Sequence, residues 1–272
     1  MKPCLSEATT LSSSFADDVA AYAGAGFTAM EVWLTKFEQH LEKTPAAATK
    51  KLLEDRNMQL AAAAYQGGLL TTTGEQRRVH YDQFQRRLGL CQEFRIGTMV
   101  VAADFIDRIN ADKLDRAMSS LSQAGELAGT YHVRLALEFQ ASAPWCRGLD
   151  TAIALVAASE SPHVGVNLDL FHYYTGPSKS EDLRVLTPRN LAHVQVCDLA
   201  GLMRELATDA DRILPGDGDM PLGPIFETLR TCGYSGYVSV ELFNPQLWKV
   251  KPAQVAALAM AALARLLEPA KN

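Results

Sequence analysis

The 272-residue chain is long enough for one large α/β domain, and nothing in it marks a linker or a second domain. Its composition, 48% hydrophobic and 21% charged, fits a globular protein with a sizeable core, and a net charge of -5 disfavours a phosphate backbone as the main partner. No run reaches the roughly 18 apolar residues of a membrane helix, and the amino-terminal MKPCLSEATT lacks the apolar stretch of a secretory signal, so a soluble cytoplasmic protein without nucleic-acid or membrane partners is expected.

In chain order, short apolar or compact runs recur as candidate strands. The first four lie at residues 2–5, 29–34, 59–65 and 98–103. Four more follow at 134–139, 164–171, 191–198 and 237–243. Segments of helical period separate them, at 15–25, 44–57, 75–95, 111–130 and 147–159. A short helix fits within 180–188, and a last one spans 252–267. Strand–helix units of about 30 residues imply parallel strands with right-handed crossovers. Eight of them predict a single-domain (β/α)8 TIM barrel over residues 1–272. A doubly wound open sheet is the competing architecture, but no G-x-G-x-x-G follows an early strand. The five cysteines (Cys4, Cys91, Cys146, Cys197, Cys232) form no CxxC pair and are expected as reduced thiols packed like small hydrophobes.

In such a barrel, chemistry gathers at the carboxyl ends of the strands. Glu138 closes ALEF, Asp169 sits in VNLDLFH, Gln195 in HVQVCD, and Glu241 closes VSVEL. A carboxylate at the end of an apolar strand is costly to bury alone. Three carboxylates and an amide oxygen aimed at one axis would repel one another without a cation, and hard oxygen donors suit manganese or magnesium. The competing reading makes each of them a separate residue bonded to loop amides or arginines. A metal-bound carbonyl acidifies the neighbouring C–H, and a carboxylate on each side can take and return the proton. Glu138 and Glu241 are therefore candidates for both ligand and acid/base roles. Glu31 and Trp33 end the second strand, and Trp33 and Tyr65 could wall a sugar pocket or be core aromatics.

The second half, roughly residues 134–247, resembles the sugar phosphate isomerase/epimerase superfamily of xylose-isomerase-like TIM barrels. NLDLFHYYTG, HVQVCD, RILPGDGDMPL and GYSGYVSVELFNP carry the resemblance. That group includes ketose 3-epimerases, hydroxypyruvate isomerases, inosose dehydratases and 3-dehydroshikimate dehydratases. The resemblance implies that Glu138, Asp169 and Glu241 are metal ligands and that His172 and Arg212 contact substrate. Gly216 and Gly218 of PGDGD shape a turn. The departure is Gln195, where many members read H-x-H; some dehydratases carry glutamine at this place. The implied activity is a divalent-metal isomerase or epimerase of a ketose or related polyol, with a metal-dependent dehydratase of a keto-polyol as the alternative. One manganese or magnesium ion is expected, with cobalt and zinc as the other candidates. The expected partner is a small carbohydrate-like substrate, and a homo-oligomer is an open expectation.

Overall fold

A computed structural model describes residues 1–268. Eight parallel strands close into a barrel in sequential order. They are β1 (Lys2–Ser6), β2 (Ala29–Trp33), β3 (Gln59–Gln66), β4 (Thr98–Ala102), β5 (Arg134–Glu138), β6 (Val164–Asp169), β7 (Leu191–Val196) and β8 (Tyr237–Val240). Among the described residues the helices are α1 (Phe15–Gly24), α2 (Leu34–Leu41), α3 (Ala46–Asp55), α4 (Gly74–Glu93) and α5 (Ala111–Thr130). They continue as α6 (Leu149–Ala158), α7 (Leu170–Thr175), α8 (Leu222–Thr231) and α9 (Pro252–Leu267). No described helix is long and apolar enough to cross a membrane. The expected single-domain (β/α)8 barrel is therefore the architecture found.

The described residues pack as two compact units. The first joins Met1–Ala62, Gln195–Thr231 and the chain from Ser235 onward. Within it, β1 pairs with β2 through Ser6 and Glu31, and with β8 through Leu5 and Val240. Phe15, Val19, Tyr22, Phe27 and Phe37 are buried there, with the Phe15 and Phe37 rings 5.1 Å apart. Each such side chain removed from water contributes roughly 1.5–3 kcal/mol. Ser14 starts α1 by accepting a hydrogen bond from the Asp17 amide, and Gly26, at φ 93°, reverses the chain after it.

The second unit joins Ala63–Val194 and Cys232–Tyr234. Here β4, β5 and β6 run in register, with Ala102 opposite Glu138 and Glu138 opposite Asn167. All six residues of β6 are buried, as expected of a parallel strand covered on both faces. Asn110 caps α5, and helix residues Leu121, Ala124 and Ala128 are buried alongside strand residues Leu135, Leu137 and Val166.

Several boundaries differ from the sequence expectations; β7 ends at Val196 rather than 198, and β8 at Val240 rather than 243. The sixth strand stops at Asp169 rather than 171, because Asp169 Oδ1 accepts the Phe171 amide at 2.7 Å and starts α7. Residues 180–188 supply only a 3-10 turn, Ser180–Val185. Neither α2 nor α8 is anticipated: α2 follows β2 without a loop, and α8 opens on Leu-Gly-Pro, which reads as a turn.

Candidate metal centre

Four polar side chains lie at or next to the carboxyl ends of strands: Glu138 and Asp169 end β5 and β6, Gln195 precedes the last residue of β7, and Glu241 follows β8. Glu138 ends β5 and is 8% exposed; its Oε1 accepts from Asn167 Nδ2 at 2.8 Å, a bond set by their cross-strand register. Asp169 ends β6 and is fully buried. One turn on, His172 Nε2 lies 3.8 Å from Asp169 Oδ2, and the Ala141 amide meets its Nδ1 at 3.5 Å. The stop of β6 at Asp169 and the start of α7 thus bring these two side chains together.

Gln195 lies within β7 and is buried. Its Nε2 donates to Glu241 Oε1 and to Glu31 Oε1, each at 2.8 Å. Glu241 follows β8 by one residue, and its amide donates to the Val196 carbonyl at 3.1 Å. Arg212 Nη1 donates to Glu241 Oε2 at 3.2 Å. The other two guanidinium nitrogens, Nε and Nη2, reach Asp209 Oδ1 at 3.0 and 2.7 Å. With 1% exposure, Arg212 is the largest fully buried side chain among the described residues, its guanidinium carbon 5.6 Å from the Phe243 ring centroid. Both Glu241 oxygens therefore receive donors, a charge-assisted one and an amide.

The loop that carries Arg212 is anchored at its root by Asp198. The amide and carbonyl of Asp198 exchange hydrogen bonds with those of Ile213, at 2.9 Å each. Its side chain accepts from the amides of Leu199, Gly216 and Met220 at 2.9, 2.9 and 3.0 Å. Gly216 adopts φ 87°, and a Cβ on Gly218 would lie 2.2 Å from the Leu199 carbonyl. Both glycines are the backbone devices expected of PGDGD. Asn244 Nδ2 donates to the Arg212 carbonyl at 3.0 Å, tying the turn after Glu241 to the same loop.

Glu138, Asp169 and Glu241 each offer an oxygen, these oxygens lie within 4.8 Å of one another, and all three residues are buried. Three like charges at that spacing destabilise one another strongly in a low-dielectric interior, and a divalent cation is the simplest group that reverses the sign. Oxygen donors alone fit a hard ion. Of the substrate candidates, Trp33 packs edge-on against Phe243 at 5.5 Å, and its amide donates to Glu7 Oε2 at 2.9 Å. Tyr65 is 45% exposed near the end of β3, its carbonyl accepting from Arg87. Since Arg212 is engaged by Glu241 and Asp209, any contact it makes with substrate is shared with those carboxylates.

Sequence reasoning gave no role to three features. Glu31, fully buried, accepts from Ser6 Oγ as well as from Gln195. It is a carboxylate inside an apolar strand, costly to bury alone like Glu138, so the same rule could have given it a role. Asn167 lies two residues before Asp169 on β6 and was legible as its same-face neighbour. The third is a buried cluster in which Lys36 Nζ pairs with Asp18 and sits 3.4 Å from Glu7 Oε1. Burial pushes the Glu7 carboxyl up to about 8, with Lys36 pulling it down and Asp18 pushing it up. The described cysteines form no disulfide, and burial pushes the Cys91 and Cys146 thiols up to about 12, so both stay protonated.

Comparison with known proteins places the fold. A family model described as xylose isomerase-like TIM barrel matches residues 19–266. An inosose isomerase of Bacillus licheniformis is 26% identical over 260 residues, which covers 92% of each chain. A 3-dehydroshikimate dehydratase of Pseudomonas putida is 24% identical over 86% of this chain and 37% of its own length. The crystal structure of IOLI protein with a bound zinc atom superposes with a TM-score of 0.92 at 22% identity, covering 98% of both chains.

Proposed function

The chain belongs to the xylose isomerase-like TIM barrel family, and from that premise we propose that it is a divalent-metal-dependent isomerase or epimerase of a ketose or related polyol. The observation that carries this reading is the buried trio of Glu138, Asp169 and Glu241. Gln195, through its amide oxygen, is the fourth proposed ligand. Manganese or magnesium suits an all-oxygen set best; cobalt and zinc are the other candidates. When bound, the ion polarises a substrate carbonyl and its neighbouring hydroxyl, which lowers the pKa of the C–H between them.

The remaining work falls to the protein. Glu138, its Oε1 steadied by Asn167, takes the proton from that carbon. Glu241, oriented by Arg212, is the acid of the pair: it gives a proton to the other side of that carbon and is left as the carboxylate, while Glu138 keeps the proton it removed. His172, held between Asp169 and the Ala141 amide, is placed to bond a substrate hydroxyl. Trp33 and Tyr65 offer apolar faces to sugar C–H groups. A second reading, a metal-dependent dehydratase of a keto-polyol, is favoured by Gln195 in place of the histidine and by the similarity to a 3-dehydroshikimate dehydratase. Both reactions begin with the same proton removal.

The deciding experiment is solvent deuterium exchange followed by NMR. Manganese- or magnesium-loaded protein is incubated in D2O with ketoses, inososes and 3-dehydroshikimate. Deuterium beside a carbonyl, with an epimer or aldose–ketose product, is the expected result. Loss of water to an enone would move the protein to the lyases. Glu138→Gln and Glu241→Gln should each lower turnover by about 10²–10⁴-fold; full turnover in either, with metal bound, would refute its acid/base role.

A further inference from the structure

Gln195 is the one proposed ligand with two unlike ends. Its amide oxygen can hold a cation and its NH2 cannot, so the side chain is useful only in one orientation. Each N–H of the amide has a carboxylate acceptor, Glu31 Oε1 and Glu241 Oε1, both at 2.8 Å. Turned over, the amide would set its oxygen against two carboxylate oxygens at hydrogen-bond distance, with no proton between them. Glu241 belongs to the proposed ligand set, where its oxygens have a second use. Glu31 does not, and it is the acceptor that can hold the amide throughout.

The surroundings of Glu31 keep it an acceptor. It is fully buried in the middle of β2, directly across the strand pair from Ser6. Ser6 Oγ accepts the Ala8 amide at 3.3 Å, which directs its own hydroxyl hydrogen onto Glu31 Oε1 at 3.0 Å. Two donors, Ser6 Oγ and Gln195 Nε2, thus converge on the one oxygen, Glu31 Oε1. Hydrogen bonds therefore run from Ser6 to Glu31, from Gln195 to both Glu31 and Glu241, and from Arg212 to Glu241. Gln195 stands in the middle and donates in both directions.

We infer that Glu31 is a positioning residue that acts through Gln195 and fixes which end of its amide is offered as a metal ligand. The inference rests on the metal reading proposed above. The manganese dissociation constant of the full chain, measured by chelator competition, tests it in a double-mutant cycle of Glu31→Gln, Gln195→Ala and the two combined. A glutamine at 31 keeps shape and volume but presents either an oxygen or an NH2 to Gln195, so the orientation is no longer imposed.

Glu31→Gln alone should weaken manganese binding by about tenfold or more, within the range of outer partners of metal ligands. In the Gln195→Ala background it should change affinity by less than about twofold. Equal losses in both backgrounds would mean that Glu31 matters for structure alone, and no loss in either would overturn the inference outright. Glu31→Met serves as a second removal of the acceptor, and melting of the metal-free variants separates misfolding from lost affinity. Wild-type protein that takes up none of manganese, magnesium, cobalt or zinc would overturn the metal reading and this inference with it. Uptake by wild type without coupling between residues 31 and 195 would overturn the inference alone.

Discussion

Arg212 shows how much of this site is committed before any ligand arrives. Its guanidinium is 1% exposed, and all three nitrogens are held by Glu241 and Asp209. Removing one partner of a buried pair leaves the other charge without compensation and costs about 3–5 kcal/mol. Arg212→Ala should therefore lower unfolding stability by roughly that amount in urea titrations of the metal-free protein. Arg212→Lys keeps the charge but not the planar fork, and should recover only part of the loss. If Arg212→Ala unfolds at the wild-type urea midpoint, the pairing is not what holds Glu241. Glu138, Asp169 and Glu241 were legible in the sequence as candidates because an acid closing an apolar strand is conspicuous. The partners of Arg212 were not, since pairing across 29 residues depends on where a loop folds back.

At the level of elements, the junction of β1, α1 and α2 is held by charge as well as by packing. The 3-10 turn Glu7–Thr10, helix α1 and helix α2 supply Glu7, Asp18 and Lys36 to one buried cluster, and Glu7 also accepts the Trp33 amide at the start of α2. With its carboxyl raised from 4.5 to about 8, folded Glu7 keeps a proton that the unfolded chain has released. Its contribution to stability is thus full below about pH 4.5 and lost as pH rises through about 8. The melting temperature of wild type relative to Glu7→Gln should fall across that window; a constant difference would show that Glu7 is ionised in the folded state. A second prediction concerns the loop before α8. Gly218→Ala puts a methyl 2.2 Å from the Leu199 carbonyl and 2.4 Å from Asp198 Oδ1, so the loop must shift. A loss of about 1–3 kcal/mol in thermal melts is expected, the usual cost of forcing an extra methyl into a filled space. Strands and most helices were readable from periodicity. Helices α2 and α8 were not, because one continues a strand without a turn and the other begins on helix-breaking residues.

For the whole molecule, the alternation of strand and helix predicted a barrel, and the closed order from β1 to β8 is what the structure shows. Periodicity suffices for that because each crossover has one favoured hand and each strand must bury both faces. On the metal reading, the barrel is also a binding partner of its ion, so folding and loading are linked. A ligand at 100 times its dissociation constant adds about 2.7 kcal/mol. Chelated protein should therefore melt at a lower temperature than manganese-loaded protein, with the gap growing as the metal concentration rises. Identical melting curves with and without the ion would argue that the carboxylate trio is satisfied by other means.

The root formed by Asp198 and Ile213 bears on engineering. The chain leaves and re-enters the barrel wall at one clasp, closed by two mutual backbone bonds and reinforced by side-chain bonds to three amides. Between the clasp and the Asp209–Arg212 pair, residues 200–208 form an excursion on which Met203 and Leu206 are largely exposed. Peptides of altered length or composition could be grafted between those fixed points while the residues that face the chemistry keep their register. A library confined to 200–208 would vary an exposed loop at small cost to folding, which makes this segment a natural place to begin directed evolution.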